Sequence, residues 1–239
     1  MTHSDFPGRR LRYYLSVPNA CPYLSGREER KLFVHLPLKD AVSVHDQLAK
    51  LGFRRSQNII YRPACMGCQA CQSIRIPVKD FHISKSQAVT LKRNYDLKSS
   101  LSDAIATEDH YELLKSYLGA RHADGGMMEM GPSDFQDMVE DSLVRTHLIN
   151  YHQGEKLIAS ALIDVLDDGL SMSYSFYDPT MPQRSLGKFM ILDHILKARK
   201  AGLDYVYLGY WVKNSPKMDY KARYRPHELL TDEGWVLKN

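Results

Sequence analysis

Three successive strand-like runs in the second half of the chain constrain the fold more than any other feature. Residues 146–152, 156–166 and 170–177 are apolar or alternating, and each is short enough for a strand. The links between them, His152-Gln153-Gly154-Glu155 and Asp167-Asp168-Gly169, are turn residues, so the runs read as two hairpins of one sheet. A short strand over 103–106, a helix over 108–118, a glycine-rich flexible loop at 125–128 and a helix starting at Pro132-Ser133 and running to 143 come before them. Pro179 and Pro182 then break the chain. A helix over 186–201 follows, closed by Gly202, and after it a strand over 205–208.

The first half reads differently. Residues 1–10 read as a loose arm, 11–17 and 30–36 as strands ended by Pro18 and Pro37, and 40–49 as a helix opened by Asp40 and closed by Gly52. Strands are expected over 54–62 and 73–78. A basic amphipathic helix over 84–101, capped by Ser84, serves as the hinge. The expectation is two domains, 1–100 and 101–239. The chain has 44% hydrophobic residues and a mean hydropathy of −0.40, and no apolar run approaches the roughly 18 residues that span a bilayer. The first residues lack a basic stretch followed by an apolar one, which predicts a cytoplasmic protein without membrane contact. A net charge of +4 permits a nucleic-acid partner. The 15 tyrosines, against 7 Phe and 2 Trp, suit polar clefts and stacking surfaces as well as sheet faces.

The order strand–helix–helix–three strands–helix–strand resembles the acetyltransferase-like (GNAT) fold. The sequence therefore predicts an α+β protein with a mixed-sheet core of that kind and an additional N-terminal α/β domain bearing a cysteine cluster. At the fold's usual phosphate site stands Gln183-Arg184-Ser185-Leu186-Gly187-Lys188-Phe189, where backbone amides at a helix start attract anions and Gly187 allows close approach. Phe189 occupies the position of the loop's second small residue.

All four cysteines, Cys21, Cys65, Cys68 and Cys71, lie in the first half, three of them in Cys65-Met66-Gly67-Cys68-Gln69-Ala70-Cys71. A structural disulfide is not expected in the cytoplasm. Thiolates two residues apart can converge on one soft metal, so the four could complete a site for zinc or an iron–sulfur cluster. The other reading is four reduced thiols in a compact loop.

Cys21-Pro22-Tyr23-Leu24, the block from Tyr61 to Cys71, Tyr207-Leu208-Gly209-Tyr210-Trp211-Val212 and Lys217-Met218-Asp219-Tyr220-Lys221 together resemble the aminoacyl-tRNA–protein transferases, over nearly the whole chain. The similarity is greatest to the bacterial branch, the aspartate/glutamate leucyltransferases. The family's eukaryotic branch has a metal-binding Cys-x-x-Cys near its N-terminus; here Leu24 takes the second position, and the later block has three spaced cysteines rather than an adjacent pair. The resemblance implies that leucine passes from the 3′ ester of leucyl-tRNA to the α-amino group of proteins starting with Asp or Glu, marking them for degradation in the N-degron pathway. Without it, the second half also fits a coenzyme A-dependent N-acyltransferase, and the cysteines with the basic helix fit a non-catalytic, metal-stapled RNA-binding module.

Such aminolysis needs a base for the amine, donors for the oxyanion and a proton for the leaving ribose oxygen. The sequence offers Asp178 or Asp219 as base and Tyr174 and Tyr210 as donors. Carboxylate partners for the acceptor are expected among Arg62, Arg75, Lys217, Lys221 and Arg223, with Tyr220 in the same block. Arg184, Gly187 and Lys188 would face the donor. Lys85, Lys92, Arg93, Lys98, Lys197, Arg199 and Lys200 would extend a tRNA patch. Met172, Phe176 or Leu208 would line the leucyl pocket.

Overall fold

The computed structural model describes residues 5–6, 9–123, 125–213 and 215–239. In chain order the elements are β1 (Asp5–Phe6), β2 (Arg9–Arg10), β3 (Tyr14–Leu15), β4 (Asn19–Ala20), β5 (Glu28–Glu29), β6 (Lys31–His35), α1 (Ala41–Lys50), β7 (Arg54–Ser56), β8 (Ile59–Pro63) and β9 (Cys71–Pro77). After these come α2 (Lys85–Arg93), β10 (Lys98–Asp103), α3 (Glu108–Arg121), α4 (Pro132–Glu140), β11 (Thr146–Gln153), β12 (Lys156–Val165), β13 (Gly169–Tyr177), α5 (Leu186–Lys200), β14 (Tyr205–Val212), β15 (His227–Thr231) and β16 (Gly234–Lys238). Short 3-10 turns occupy Gly126–Glu129, Pro182–Arg184 and Asp219–Arg223. Among the described residues no helix is long and apolar enough to cross a membrane.

The main sheet has eight strands in the order β10-β11-β12-β13-β14-β9-β15-β16, and only the β13–β14 pair is parallel. Its inner strand β12 is buried over almost its whole length, which is why it reads as a continuous apolar run. On one face α5 lays Leu186, Phe189, Met190, Leu192 and Ile195 against Ile149, Tyr151, Ile158 and Ile163. On the other, Leu113, Leu114 and Leu118 of α3 and Phe135 and Val139 of α4 cover Leu148, Leu162 and Phe176. A four-stranded sheet, β3-β6-β8-β7, packs with α1 around Leu48, Phe53 and Ile60.

The hairpins and α5 fall where the turn chemistry puts them. Elsewhere the structure differs from the sequence reading. The division at residue 100 is not a division of the sheet, because β9, from the first hundred residues, pairs antiparallel with β14 and with β15. The basic helix stops at Arg93: Asn94 donates to Thr90 O and Arg184 O (2.9 Å each), and the Ser- and Asp-rich stretch after it pairs with β11 as the sheet's edge strand. Ser84 does cap α2 in a reciprocal capping box with Gln87. The run over 54–62 is a hairpin, turned at Gln57 with a positive φ of 51°. Of 11–17 only Tyr14–Leu15 pairs, and within the expected loose arm Asp5–Phe6 pairs with Arg9–Arg10. The β15–β16 hairpin has no counterpart in the sequence reading.

A buried ion pair fastens the small sheet to the large one. Asp164 of β12 accepts from Arg55 Nε (2.9 Å) and Nη2 (2.6 Å) and from the hydroxyls of Thr146 and Ser173 (2.8 Å each). Arg55 and Arg54 are neighbours on a strand, so their side chains leave on opposite faces. Arg55 reaches the pair and Arg54 reaches the site described next.

Candidate active site

Strands β13 and β14 are in register only at Gly169–Ser171 and Tyr205–Tyr207, and then diverge into a wedge. Divergence leaves backbone carbonyls that need donors. On the β13 side Arg54 Nη2 donates to Ser173 O (2.9 Å) and Met172 O (3.4 Å). On the β14 side Lys221 Nζ donates to Leu208 O and Tyr210 O, 2.8 Å each. The β14–β9 register shifts between Tyr207 and Tyr210, and Gly209 there has a φ of +75°. A Cβ at Gly209 would lie 2.6 Å from Arg54 Cζ, so glycine is what admits the guanidinium.

The wedge opens into a groove of about 940 Å³, at the upper end of the ~300–1,000 Å³ usual for ligand pockets. Its walls are Met172, Ser173, Tyr174, Ser175 and Tyr177 of β13, Tyr117, Arg121 and His122 at the end of α3, Ser185, Gly187 and Lys188 at the start of α5, and Lys217, Tyr220 and Lys221. Among the described lining residues there are five Lys or Arg and no Asp or Glu. Tyr177 packs on Tyr117 (ring centroids 4.9 Å apart) and stands over Gly187, where a Cβ would come within 3.3 Å of its ring. The α5 start leaves its first amides without intrahelical acceptors. The turn ahead of it is pinned by Arg184, which clasps Asp96 with both terminal nitrogens at 2.8 Å.

Two groups in the groove can take a proton. His122 lies 3.3 Å from the Tyr117 hydroxyl, and burial together with Lys217 and Arg121 lowers its pKa, which keeps the imidazole neutral at pH 7. Burial, then the neighbouring Arg54, brings Lys221 down to about 7. As a neutral amine, Lys221 would place its two protons on the two carbonyls and keep its lone pair. Burial raises Tyr174 to about 12, so its hydroxyl stays a donor.

The sequence-predicted residues divide. Gly187, Lys188, Lys217, Tyr220, Lys221 and Tyr174 line the groove, as do Met172 and Leu208. Asp178 does not: it is buried, paired with Lys156 (2.9 Å), and accepts from Thr180 N and Oγ1, so it is a turn-fixing carboxylate rather than an available base. Asp219 is exposed and outside the lining. Tyr210 points behind the wedge and donates to Gly52 O (3.2 Å) and Tyr61 O (3.0 Å), which removes it as an oxyanion donor. Arg75 is spent on Glu228 (2.6 Å) and Tyr207, between the rings of Tyr205 and Trp235. Arg62 covers Phe53, and Arg223 is exposed away from the groove. Arg184 is a clamp, and Phe176 belongs to the core. In the basic patch, Lys85, Lys92, Lys98 and Lys200 are exposed, but Arg199 is tied to Val78 O and Phe81 O and Lys197 to Asp193. The sequence reading passed over Arg54, Tyr117 and His122. The one signal for His122 was its place between a helix and Gly125-Gly126.

The four cysteines are free, half-buried thiols around one cavity of about 90 Å³, which shares Pro22, Tyr23 and Arg54 with the groove. Burial, then the other three thiols, pushes Cys71 up to about 11, so it is protonated. Cys65 Sγ accepts from Arg30 N at 3.4 Å. Among the described residues no three His, Cys, Asp or Glu side chains are arranged to hold a metal ion.

Residues 19–88 match the family described as Arginine-tRNA-protein transferase, N terminus, and residues 109–231 its C terminus. The chain is 56% identical over 239 residues to an aspartate/glutamate leucyltransferase of Phenylobacterium zucineum, covering 97% of this chain and 93% of the relative. Identity is 56% to one from Caulobacter vibrioides (97% and 85% covered) and 53% to one from Parvibaculum lavamentivorans (94% and 93%). Among solved structures, L-PGS from Bacillus licheniformis superposes with a TM-score of 0.51 at 11% identity, over 79% of this chain and 62% of that one, a likeness of fold.

Proposed function

The chain belongs to the arginine-tRNA-protein transferase family, and from that premise we propose that it transfers leucine from leucyl-tRNA to the α-amino group of proteins beginning with Asp or Glu. The new N-terminal leucine would mark the product for degradation in the cytoplasm. The observation that carries this reading is one groove of about 940 Å³ lined both by the Gly187 turn and by Lys217, Tyr220 and Lys221, where a charged 3′ adenosine and a chain end would meet. The acetyltransferase-like reading of the core draws support from the helix α5 that connects the parallel strands β13 and β14 at their point of divergence.

The reaction is direct aminolysis. The acceptor ammonium gives up a proton, and its nitrogen attacks the leucyl ester carbon. The tetrahedral intermediate then collapses to an amide as the ribose 3′ oxygen leaves and takes a proton. The ester is already activated, so alignment provides much of the acceleration. No described carboxylate lines the groove, so the proton goes to His122 or Lys221, and Tyr174 is the hydroxyl available to the oxyanion or the leaving oxygen. Gly187 and Lys188 would face the 3′ end, and Met172 and Leu208 the leucyl side chain.

The test is transfer of labelled leucine to an Asp-starting peptide, with leucyl-tRNA and acetyl-CoA supplied separately. Product is expected only with leucyl-tRNA, and nuclease should abolish it. Acetylation of the peptide without tRNA would instead favour the coenzyme A-dependent reading, and no product in either arm the RNA-binding one.

A further inference from the structure

We propose that Arg54 reads the acceptor, its guanidinium gripping the side-chain carboxylate of the incoming N-terminal Asp or Glu at the floor of the β13–β14 wedge. This rests on the leucyl-transfer reading and names the group that selects its acceptor.

Four other arginines are already matched to carboxylates: Arg55 to Asp164, Arg75 to Glu228, Arg145 to Asp46 and Arg184 to Asp96. Arg54, among the described residues, has no such partner. Among the described residues its hydrogen-bond acceptors are two backbone carbonyls, both reached through Nη2, and Nε and Nη1 have none there. The groups coupled most closely to it are Tyr23, Tyr210, Tyr220 and Lys221, none of them anionic at neutral pH, while Glu28 and Glu29, which line the small cavity beside it, form no ion pair with it, Glu29 pairing instead with Lys31. An Arg half-buried against the Tyr210 ring (5.8 Å to the centroid), in a groove without a described carboxylate, is a site for an anion, and its planar fork fits a carboxylate in bidentate fashion.

Its position fits the substrate. Arg54 lines both the large groove and the small thiol-lined cavity. An acceptor whose side chain turns toward that junction keeps its α-amine in the groove, on the side of Lys221. Asn or Gln offers no charge there, and the guanidinium would stay unpaired at the cost of its lost hydration. Arg75, the sequence's candidate for this role, is closed off by Glu228.

The experiment is a competition between Asp- and Asn-starting peptides for leucine from leucyl-tRNA, with unaltered protein, R54Q and R54K. The ratio of the two initial rates within one preparation does not depend on the fraction of protein that is active, so a partly misfolded variant still gives an answer. R54Q is expected to lower the Asp:Asn ratio by at least about 30-fold, in keeping with loss of one partner of a desolvated charge pair. R54K should keep part of it, and half-saturation by leucyl-tRNA should be unchanged. A ratio unmoved by R54Q overturns the proposal. So does weakened leucyl-tRNA binding at constant ratio, which would assign Arg54 to the donor. Absence of leucyl transfer by the unaltered chain would overturn the functional reading itself.

Discussion

Gly209→Ala is the substitution that most sharply couples the backbone of the wedge to its chemistry. The residue has φ +75°, where an alanine costs about 1–2 kcal/mol. Its Cβ would fall 2.6 Å from Arg54 Cζ and Nη1 and 2.8 Å from Nε, so the guanidinium must retreat by about 1 Å to reach van der Waals contact. That movement breaks the 2.9 Å hydrogen bond to Ser173 O, worth about 1 kcal/mol. The summed loss, about 2–3 kcal/mol, leaves a domain of ordinary stability folded. A charge displaced by about 1 Å at a positioning site costs on the order of 100-fold in rate. We therefore expect single-turnover leucyl transfer to an Asp-starting peptide to fall ~10- to 100-fold, with a reduced Asp:Asn ratio. Adding R54Q to Gly209→Ala should lower that ratio little further. Gly202→Ala supplies the control, because φ there is +73° and a Cβ would meet nothing within 4 Å. It should lose stability alone. If Gly209→Ala behaves like Gly202→Ala, losing stability while transfer and ratio stay intact, the coupling of this turn to Arg54 is refuted.

Further outcomes follow from the same contacts. Asp164→Ala strands a buried guanidinium and two hydroxyl donors, and should lower unfolding free energy in urea by roughly 3–5 kcal/mol, whereas Arg55→Met combined with Asp164→Leu should recover much of it. His45 is pushed down from 6.5 to about 4 by burial, with Arg55 and Arg145 adding to the effect against Asp164. Its contribution is therefore fully present above pH 6.5 and is lost as pH falls toward 4, by roughly 3 kcal/mol. Urea titrations across that window should show the fall, and His45→Gln should flatten it. Gly187→Val fills the space under Tyr177; if the 3′ adenosine docks at the start of α5 as proposed, KM for leucyl-tRNA should rise while KM for the peptide stays.

The hairpins and α5 were legible because each side-chain period is bounded by its own turn chemistry, Gly154 and Gly169 in one case and Gly202 in the other. Strand β10 was not, because an edge strand with every residue exposed carries no apolar alternation, and its pairing with β11 is a long-range contact. The interleaving of β9 with β14 and β15 is of the same kind. At the site, Lys217, Tyr220, Lys221 and Gly187, which the sequence blocks name, line one groove, since they are adjacent in the chain or at a helix start. The choice among charged residues failed where partners decide it. Nothing local in Arg75 announces Glu228, 153 residues away, and nothing in Arg54 announces the lack of such a partner. Strand geometry does imply that Arg54 and Arg55 face opposite ways, but which of the two meets Asp164 is a tertiary fact.

Leucyl transfer by direct aminolysis requires one groove to hold the aminoacyl-adenosine end and the acceptor end at the same time. A phosphonamidate with phosphorus in place of the leucyl carbonyl carbon, esterified to the adenosine 3′ oxygen and joined to the nitrogen of an Asp-starting peptide, mimics the tetrahedral intermediate. Inhibition kinetics with this compound should be competitive against both leucyl-tRNA and the peptide, with binding tighter than that of either half alone. Competition against only one substrate, or no gain over the separate halves, would contradict the shared groove.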